Sequence, residues 1–296
     1  MARLPGGAFT GAMTDHPILV TGGTGTVGSR VVSLLRERGH AVRVASRGAA
    51  ERFDWQDRAT WDAALAGVRR MFVVPLDGTT LTRPFLARAA DHGVGRVVLL
   101  SGRGVDVPGY IEEDPNGLGE THVDGEDAVR GGAADWTILR PGWFAQNFSE
   151  GFFREAVLSG ELRLPVGNAA ASFVDAADIA AVGVAALTED GHAGQIYELS
   201  GPRALTLAEV AAEISAATGR EVRHVPLPPG QFTAELIAQG WPAADAEGFL
   251  QSLSPLERGL DEHLSDGVRR ALGREPRDFA AFARDAARAG AWPART

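Results

Sequence analysis

The chain has 296 residues, 45% of them apolar, and a net charge of −9. That length suffices for a large core and about two domains, and the acidic balance argues against nucleic acid, whose binding relies on clustered positive charge. There is no cysteine, which excludes disulfides, thiolate metal sites and cysteine nucleophiles, and no lysine, so all 29 basic residues are arginine.

Residues 1–16 read as a flexible tail rich in glycine, without the continuous apolar stretch of a secretory signal, and Met13 is an alternative start. No apolar run reaches about 18 residues, so no membrane span is expected and the chain is placed in the cytoplasm. Ile18-Leu19-Val20 is a buried strand. It leads into Thr21-Gly22-Gly23-Thr24-Gly25-Thr26-Val27-Gly28. Val27, Val31, Leu34 and Leu35 then repeat at helical spacing. Strand, glycine turn and helix are the context a dinucleotide fingerprint requires: one glycine makes the turn, one lets the backbone approach a pyrophosphate, one lets helix and strand pack closely. The phosphates meet the unpaired N–H groups of the helix start. Two registers fit, Gly22-x-x-Gly25-x-x-Gly28 and Gly23-x-Gly25-x-x-Gly28.

Residues 41–45 read as the second strand and Arg52-Phe53-Asp54 as a short third one. Thr60 can cap a helix running to Gly67. Residues 71–74 form a buried strand. A helix over residues 82–91 follows, with Pro84 in its first turn, where proline is tolerated. Residues 97–100 form the next strand, ending at Ser101. A glycine- and proline-rich loop, a helix over 119–130 and a strand over 136–140 complete the pattern. The run Asp106, Glu112, Glu113 and Asp114 reads as solvated loop. Apolar runs alternating with helices imply a parallel sheet covered on both faces.

Beyond Pro141 five aromatic residues crowd together: Trp143, Phe144, Phe148, Phe152 and Phe153. They fit a pocket for a flat aromatic ligand or ordinary core packing. Phe173-Val174 is a short strand, and Asp175 or Asp178 starts an alanine-rich helix. Residues 196–199 form another strand. Thr206-x-x-Glu209 is a capping box opening a helix to about Thr218. Residues 222–226 suit pairing with a neighbouring strand. From Pro229 the chain is mostly helical, with breaks at Gly240, Pro242, Gly267 and Pro276. The expected fold is α/β: a Rossmann-type doubly wound parallel sheet over residues 17–150, with a smaller, mostly helical C-terminal substrate lobe over 151–296 that packs on it and can contribute strands to it.

A domain of this type that takes NAD(H) carries an Asp or Glu at the end of the second strand. Here the residues are Ala45-Ser46-Arg47. A carboxylate would repel a 2′-phosphate, whereas an arginine pairs with it, so NADP(H) is expected over NAD(H), with Arg47 on the 2′-phosphate.

The glycine turn, Phe53-Asp54-Trp55, and Leu139-Arg140-Pro141-Gly142-Trp143-Phe144 with Asn147-Phe148 resemble the NmrA-like proteins, atypical members of the short-chain dehydrogenase/reductase superfamily. The likeness runs from about residue 17 to 292 and includes 173–178, 194–201 and 276–282. It implies that Gly22, Thr24, Gly25, Thr26 and Val27 hold the dinucleotide phosphates and that Asp54 and Trp55 lie near the adenine. It places Val74 and Pro75 beside the cofactor, and Pro141 and Gly142 near the nicotinamide. Trp143, Phe144, Asn147 and Phe148 then face the substrate.

The same likeness exposes a departure. The superfamily uses a serine after the corresponding strand and a Tyr-x-x-x-Lys pair on the next helix. Ser101 matches the serine. Anchoring on Glu126 places His122 at the lysine position and Leu118 at the tyrosine position. The two tyrosines of the chain are Tyr110 and Tyr197. His122 can act as a general acid, orient the ribose or sit on the helix surface. His16, His40, His92, His192, His224 and His263 lack metal-ligand spacing, so no metal is expected. The expected function is an NAD(P)H-dependent ketoreductase or quinone reductase acting on a bulky aromatic carbonyl compound, such as an aromatic polyketide, that assists its own protonation. The alternative is a redox sensor that binds the dinucleotide without turning it over and regulates a protein partner. The oligomeric state is left open.

Overall fold

The computed structural model describes residues 16–49, 52–110 and 117–293. The expected N-terminal tail through residue 15, and Glu112, Glu113 and Asp114, lie outside these residues. Six parallel strands form the central sheet: β1 (Ile18–Thr21), β2 (Val42–Ala45), β3 (Arg70–Val73), β4 (Arg96–Leu100), β5 (Asp135–Pro141) and, from much later in the chain, a sixth introduced below as β8. Four helices accompany the first five strands: α1 (Thr26–Glu37), α2 (Trp61–Leu65), α3 (Thr82–Asp91) and α4 (Leu118–Arg130).

Alternate strand residues face opposite layers. Ile18 and Val20 of β1 pack with Val31 and Leu35 of α1, while Leu19 packs with Trp61, Leu65 and Phe85 of α2 and α3. Both faces are thus dry, as a parallel sheet requires.

Residues 52–54 do not form the expected third strand. Phe53 instead drives its ring into the core against Trp55 and Phe85, each at 5.3 Å. A loop, not a ladder, reaches that position. Thr60 does not cap α2 through its side chain. Asp57 takes that role for a 3₁₀ turn over Arg58–Thr60, and the Thr60 hydroxyl donates to the Asp57 carbonyl at 2.7 Å.

After β5 come α5 (Arg154–Ser159), β6 (Glu161–Leu164), β7 (Ala170–Ala171), α6 (Ala176–Thr188), β8 (Gln195–Leu199), β9 (Leu205–Thr206), α7 (Leu207–Thr218) and β10 (Arg223–Pro226). Helices α8 (Pro229–Ala238), α9 (Ala243–Ser252), α10 (Ser254–Glu257), α11 (Gly267–Leu272) and α12 (Phe279–Arg288) close the chain. Phe173-Val174 is not a strand; Val174 makes an isolated bridge to Phe144. The segment after residue 150 both forms a lobe and contributes a strand to the main sheet. β8 pairs in parallel with β5, and α6 packs on α1. Gly267 opens α11 instead of breaking a helix, and it is buried there.

The lobe has its own core, where Phe148, Phe153, Phe173, Ile214, Phe279 and Phe282 meet. Two small sheets frame it, β6 parallel to β10 and β7 antiparallel to β9. Asp175 caps α6 by accepting from Ala177 N, and its other oxygen faces Arg277 at 3.2 Å. Asp178 accepts from Arg277 N at 2.6 Å and pairs with Arg274 at 2.7 Å. These two carboxylates tie the C-terminal segment to the sheet-packed helix. No helix among the described residues is long and apolar enough to cross a membrane.

Candidate cofactor and acceptor site

The strand order is β2-β1-β3-β4-β5-β8, so the chain leaves β1 for one side and then crosses to the other. Ligands of open α/β sheets bind at such a reversal, beyond the carboxyl ends of the strands. Thr21, the last residue of β1, fastens the site. Its hydroxyl accepts from Val74 N at 2.7 Å and lies 3.1 Å from the Val74 carbonyl. β1 and β3 are thereby held together one step past their ladder.

The glycine turn follows at once. Gly25 N donates to the Gly22 carbonyl at 2.9 Å. A Cβ on Gly28 would sit 2.2 Å from that same carbonyl oxygen, so helix and turn meet backbone to backbone. Gly23 is as close-packed as Gly22, since a Cβ on it would lie 2.9 Å from Val44 Cγ1, so the structure accommodates both registers. Helix α1 has Gly25 as N-cap, no side-chain cap and no acidic residue in its first turn. The N–H groups of Thr26, Val27 and Gly28 have no intrahelical acceptor, and the helix dipole favours an anion there. Val27 is buried, so its N–H is what it can present to a ligand.

A cleft of about 690 Å³ opens beside the turn. Gly22, Thr24, Arg47, Asp54, Trp55, Val74 and Pro75 line it, with Ser46, Gln56 and Leu76 among the lining residues that sequence reasoning had not singled out. Gly25, Thr26 and Val27 lie at the adjoining helix start. Trp55 is wedged edge-on against Phe85 at 4.9 Å. Asp54 holds the loop: Oδ1 accepts from Gln56 N at 3.1 Å and the carbonyl accepts from Trp61 Nε1 at 3.2 Å. Arg47 is exposed and has no hydrogen-bond or ion-pair partner among the described residues.

The other predicted residues lie at the ends of β4 and β5. Ser101 is buried, and its hydroxyl donates to Glu126 Oε1 at 2.7 Å. Glu126, also buried, takes Nε and Nη2 of Arg140 at 2.8 and 2.7 Å and Nη2 of Arg130 at 2.5 Å. Arg140 reaches on to Asp106 at 2.6 Å, so the Asp106 carboxyl is held below its ordinary range and is not merely solvated. The Ser101 hydroxyl is therefore engaged in a salt-bridged knot. His122, on α4, is partly buried, with its ring over Gly102 and close enough to Asp77 for their charges to interact.

Pro141 ends β5, and Gly142 N donates to the Leu199 carbonyl at 2.9 Å. Neither is among the residues lining the cleft. Trp143 and Phe144 are partly buried, and Trp143 Nε1 donates to Asp261 Oδ2 at 2.9 Å. Asn147 is partly buried, and its carbonyl accepts from Phe153 N at 2.9 Å. Phe148 does not face a ligand. It is 0% exposed, with Phe153, Phe173 and Phe279 at 5.1, 5.4 and 5.7 Å. Its ring belongs to the lobe core because three other aromatic rings enclose it. Arg103, buried against Gly142, and Asp261, buried and bonded to Trp143, carried no sequence signal.

Residues 22–190 match a family described as NAD(P)H-binding. Over 292 residues the chain is 36% identical to YesF of Bacillus subtilis, an uncharacterized oxidoreductase, covering 95% of this chain and 98% of the relative. The chain belongs to this NAD(P)H-binding family. It is also 36% identical to the NAD(P)H azoreductase of Xenophilus azovorans, covering 90% of this chain and 96% of that one. The crystal structure of the NADPH-dependent quinone oxidoreductase QOR2 from Escherichia coli matches it with a TM-score of 0.72 at 25% identity, covering 90% and 98% of the two chains. This chain is an NAD(P)H-dependent oxidoreductase. Its residues fit the dinucleotide: the Gly22–Gly28 contact leaves no side chain over the turn, and the adjoining cleft has a free cation in Arg47.

Proposed function

We propose that this oxidoreductase is an NADPH-dependent reductase of flat, bulky aromatic acceptors, quinones foremost, with the acceptor supplying much of its own activation. The observation that carries the reading is the engagement of Ser101 with Glu126. The chain has no lysine, and Leu118 stands at the tyrosine position. With the serine hydroxyl donating into the Glu126–Arg140 pair, the usual proton relay has no members. Developing negative charge then receives little help from preorganised donors. A quinone relaxes that demand, because its hydroquinone anion is stabilised by its own ring. A ketone beside a phenol relaxes it too, because the phenol proton lies within reach. Aromatic polyketides combine both features.

Bound NADPH supplies the hydride. The chain's own residues bind and orient. The N–H groups at the start of α1 take the pyrophosphate, and Arg47 takes the 2′-phosphate by charge-assisted hydrogen bonds, which favours NADPH over NADH. Asp54 and Trp55 shape the adenine end. Pro141 and Gly142 border the reacting ring, with Trp143 and Phe144 beside the acceptor. Ser101 and His122 assist at most. The reductases among the relatives favour turnover over a purely sensing role.

The test is NADPH oxidation against a panel of quinones, azo compounds and hydroxylated aromatic ketones. Each ketone is paired with its methyl ether at the neighbouring phenol. Rapid quinone turnover is expected, with a marked loss on methylation. Tight NADPH binding with no acceptor-dependent oxidation across the panel would return the chain to the sensor reading.

A further inference from the structure

We infer that Asp261 is the positioning residue of the acceptor face: this one buried carboxylate, from the loop between α10 and α11, holds Tyr110 and Trp143 in register. The inference rests on the reading of this face as the acceptor side. Asp261 is 1% exposed. Its Oδ1 accepts from the Tyr110 hydroxyl at 2.5 Å and its Oδ2 from Trp143 Nε1 at 2.9 Å. Tyr110 belongs to the loop after β4 and Trp143 to the loop after β5. Those two loops leave the carboxyl end of the sheet, where open sheets of this kind frame their ligands. The sequence separations are 151 and 118 residues, so the lobe sets the shape of loops that the sheet itself cannot fix.

Asp261 is itself immobilised. Its carbonyl accepts from Ser172 N at 3.0 Å and from Arg103 Nη1 at 3.2 Å. Arg103, 6% exposed, also pairs with Glu198 at 2.9 Å and donates to Ser172 Oγ at 3.0 Å. His263 bonds the same Glu198.

The two fastened rings are held on their faces as well. Gly104 lies in the left-handed region at φ +77°, and a Cβ there would strike the Tyr110 ring at 2.3 Å. The phenol therefore rests on bare backbone. Burial and the charges of Asp261 and Glu198 push the phenol above its ordinary value, so it stays a protonated donor and serves as a fastener. Trp143 stacks on Phe153 at 6.3 Å and 26°.

Both partners are neutral donors, so geometry, not charge, is what Asp261 supplies. An amide can reproduce it: Oδ1 accepts from Trp143, while Nδ2 donates to Tyr110 Oη, since a hydroxyl accepts as well as donates. A leucine of similar size satisfies neither. The experiment compares Asp261→Asn with Asp261→Leu in the full chain, using a one-ring and a multi-ring quinone. In Asp261→Asn, kcat/KM for the multi-ring quinone should stay within about threefold of the parent, because both hydrogen bonds are replaced. In Asp261→Leu it should fall by about tenfold or more, chiefly through KM, since small displacements of positioning groups are costly. NADPH affinity should hold in both. Acrylamide quenching of Trp143 fluorescence, taken as the difference from Trp143→Phe, reads the same placement without turnover. It should rise in Asp261→Leu and not in Asp261→Asn.

Equal damage in both variants would show that the charge matters and overturn the inference. Parental KM and quenching in Asp261→Leu would overturn it as well. Should Asp261→Leu fail to fold, Tyr110→Phe removes one fastening. A raised KM for the multi-ring quinone in Tyr110→Phe upholds the inference, and parental kinetics in that variant overturns it. A parent protein that reduces no quinone would sink the acceptor reading alone, and quenching would still decide the placement.

Discussion

Ser101 Oγ donates to Glu126 Oε1 across 2.7 Å, and both residues are buried. A serine in this position is ordinarily read as a catalytic group. Here its partner is a carboxylate already shared by Arg140 and Arg130. The hydrogen bond ties the end of β4 to α4 and so belongs to the fold.

Ser101→Ala should therefore cost stability more than rate. A buried hydrogen bond to a charged group contributes about 1.5–3 kcal/mol, and Glu126 keeps its arginines when the serine is removed. Urea unfolding should show a loss in that range, with quinone turnover within a fewfold of the parent. A hundredfold drop in kcat at unchanged stability would contradict the assignment.

Arg47→Ala should separate the two cofactors. The exposed guanidinium has no competing partner among the described residues. Removing a charge-assisted contact of about 1.5–3 kcal/mol corresponds to roughly 10- to 150-fold in NADPH affinity. NADH affinity should change little. Titration calorimetry with both dinucleotides gives the ratio, and equal losses would remove Arg47 from the 2′-phosphate.

Gly28→Ala should disable the glycine turn. The new methyl would lie 2.2 Å from the Gly22 carbonyl oxygen, which is backbone and cannot rotate away. Helix α1 must shift, at a cost of at least about 1–3 kcal/mol by the usual penalty for overpacking. The expected result is a lower melting temperature together with lost dinucleotide binding. A variant that binds NADPH like the parent would show that the turn tolerates a side chain.

Acid should destabilise the protein before its carboxylates titrate. His192 is buried, its Nδ1 bonded to the Tyr197 hydroxyl at 2.8 Å, and desolvation, with Arg96 adding to it, holds it below its ordinary 6.5. His40 and His224 are lowered by desolvation as well. A histidine lowered in the folded state favours folding fully above its unfolded value. As pH falls below 6.5 the unfolded chain takes the proton first, and stability declines until the folded histidine protonates too. Urea midpoints at pH 7.5 and 5.5 should show this decline, and His192→Gln should make it shallower. An unchanged pH dependence in that variant would exclude His192 as a contributor.

Much of the fold was legible because its causes are local. The bounds of α3, Thr82–Asp91, follow from apolar spacing and Pro84 in the first turn. The capping box of Thr206 and Glu209 forms as the spacing requires. The glycine turn is local as well: Gly22, Gly25 and Gly28 touch one another within seven residues, so the contact that needs them lies inside the motif. The geometry of the turn was readable for that reason.

The surroundings of the turn and of the ends of β4 and β5 were decided by contacts between residues far apart in the chain. Thr21 finds Val74 across 53 positions, Ser101 finds Glu126 across 25, and Trp143 finds Asp261 across 118. No periodicity links such pairs. Phe148 shows the same limit in another form. An aromatic ring suits a core and a ligand pocket equally well, and only Phe173 and Phe279, brought in by the folded lobe, settle that it is core. Local sterics and hydrogen bonding within a few residues are set by the sequence itself. Which buried group meets which partner is set only when the layers pack.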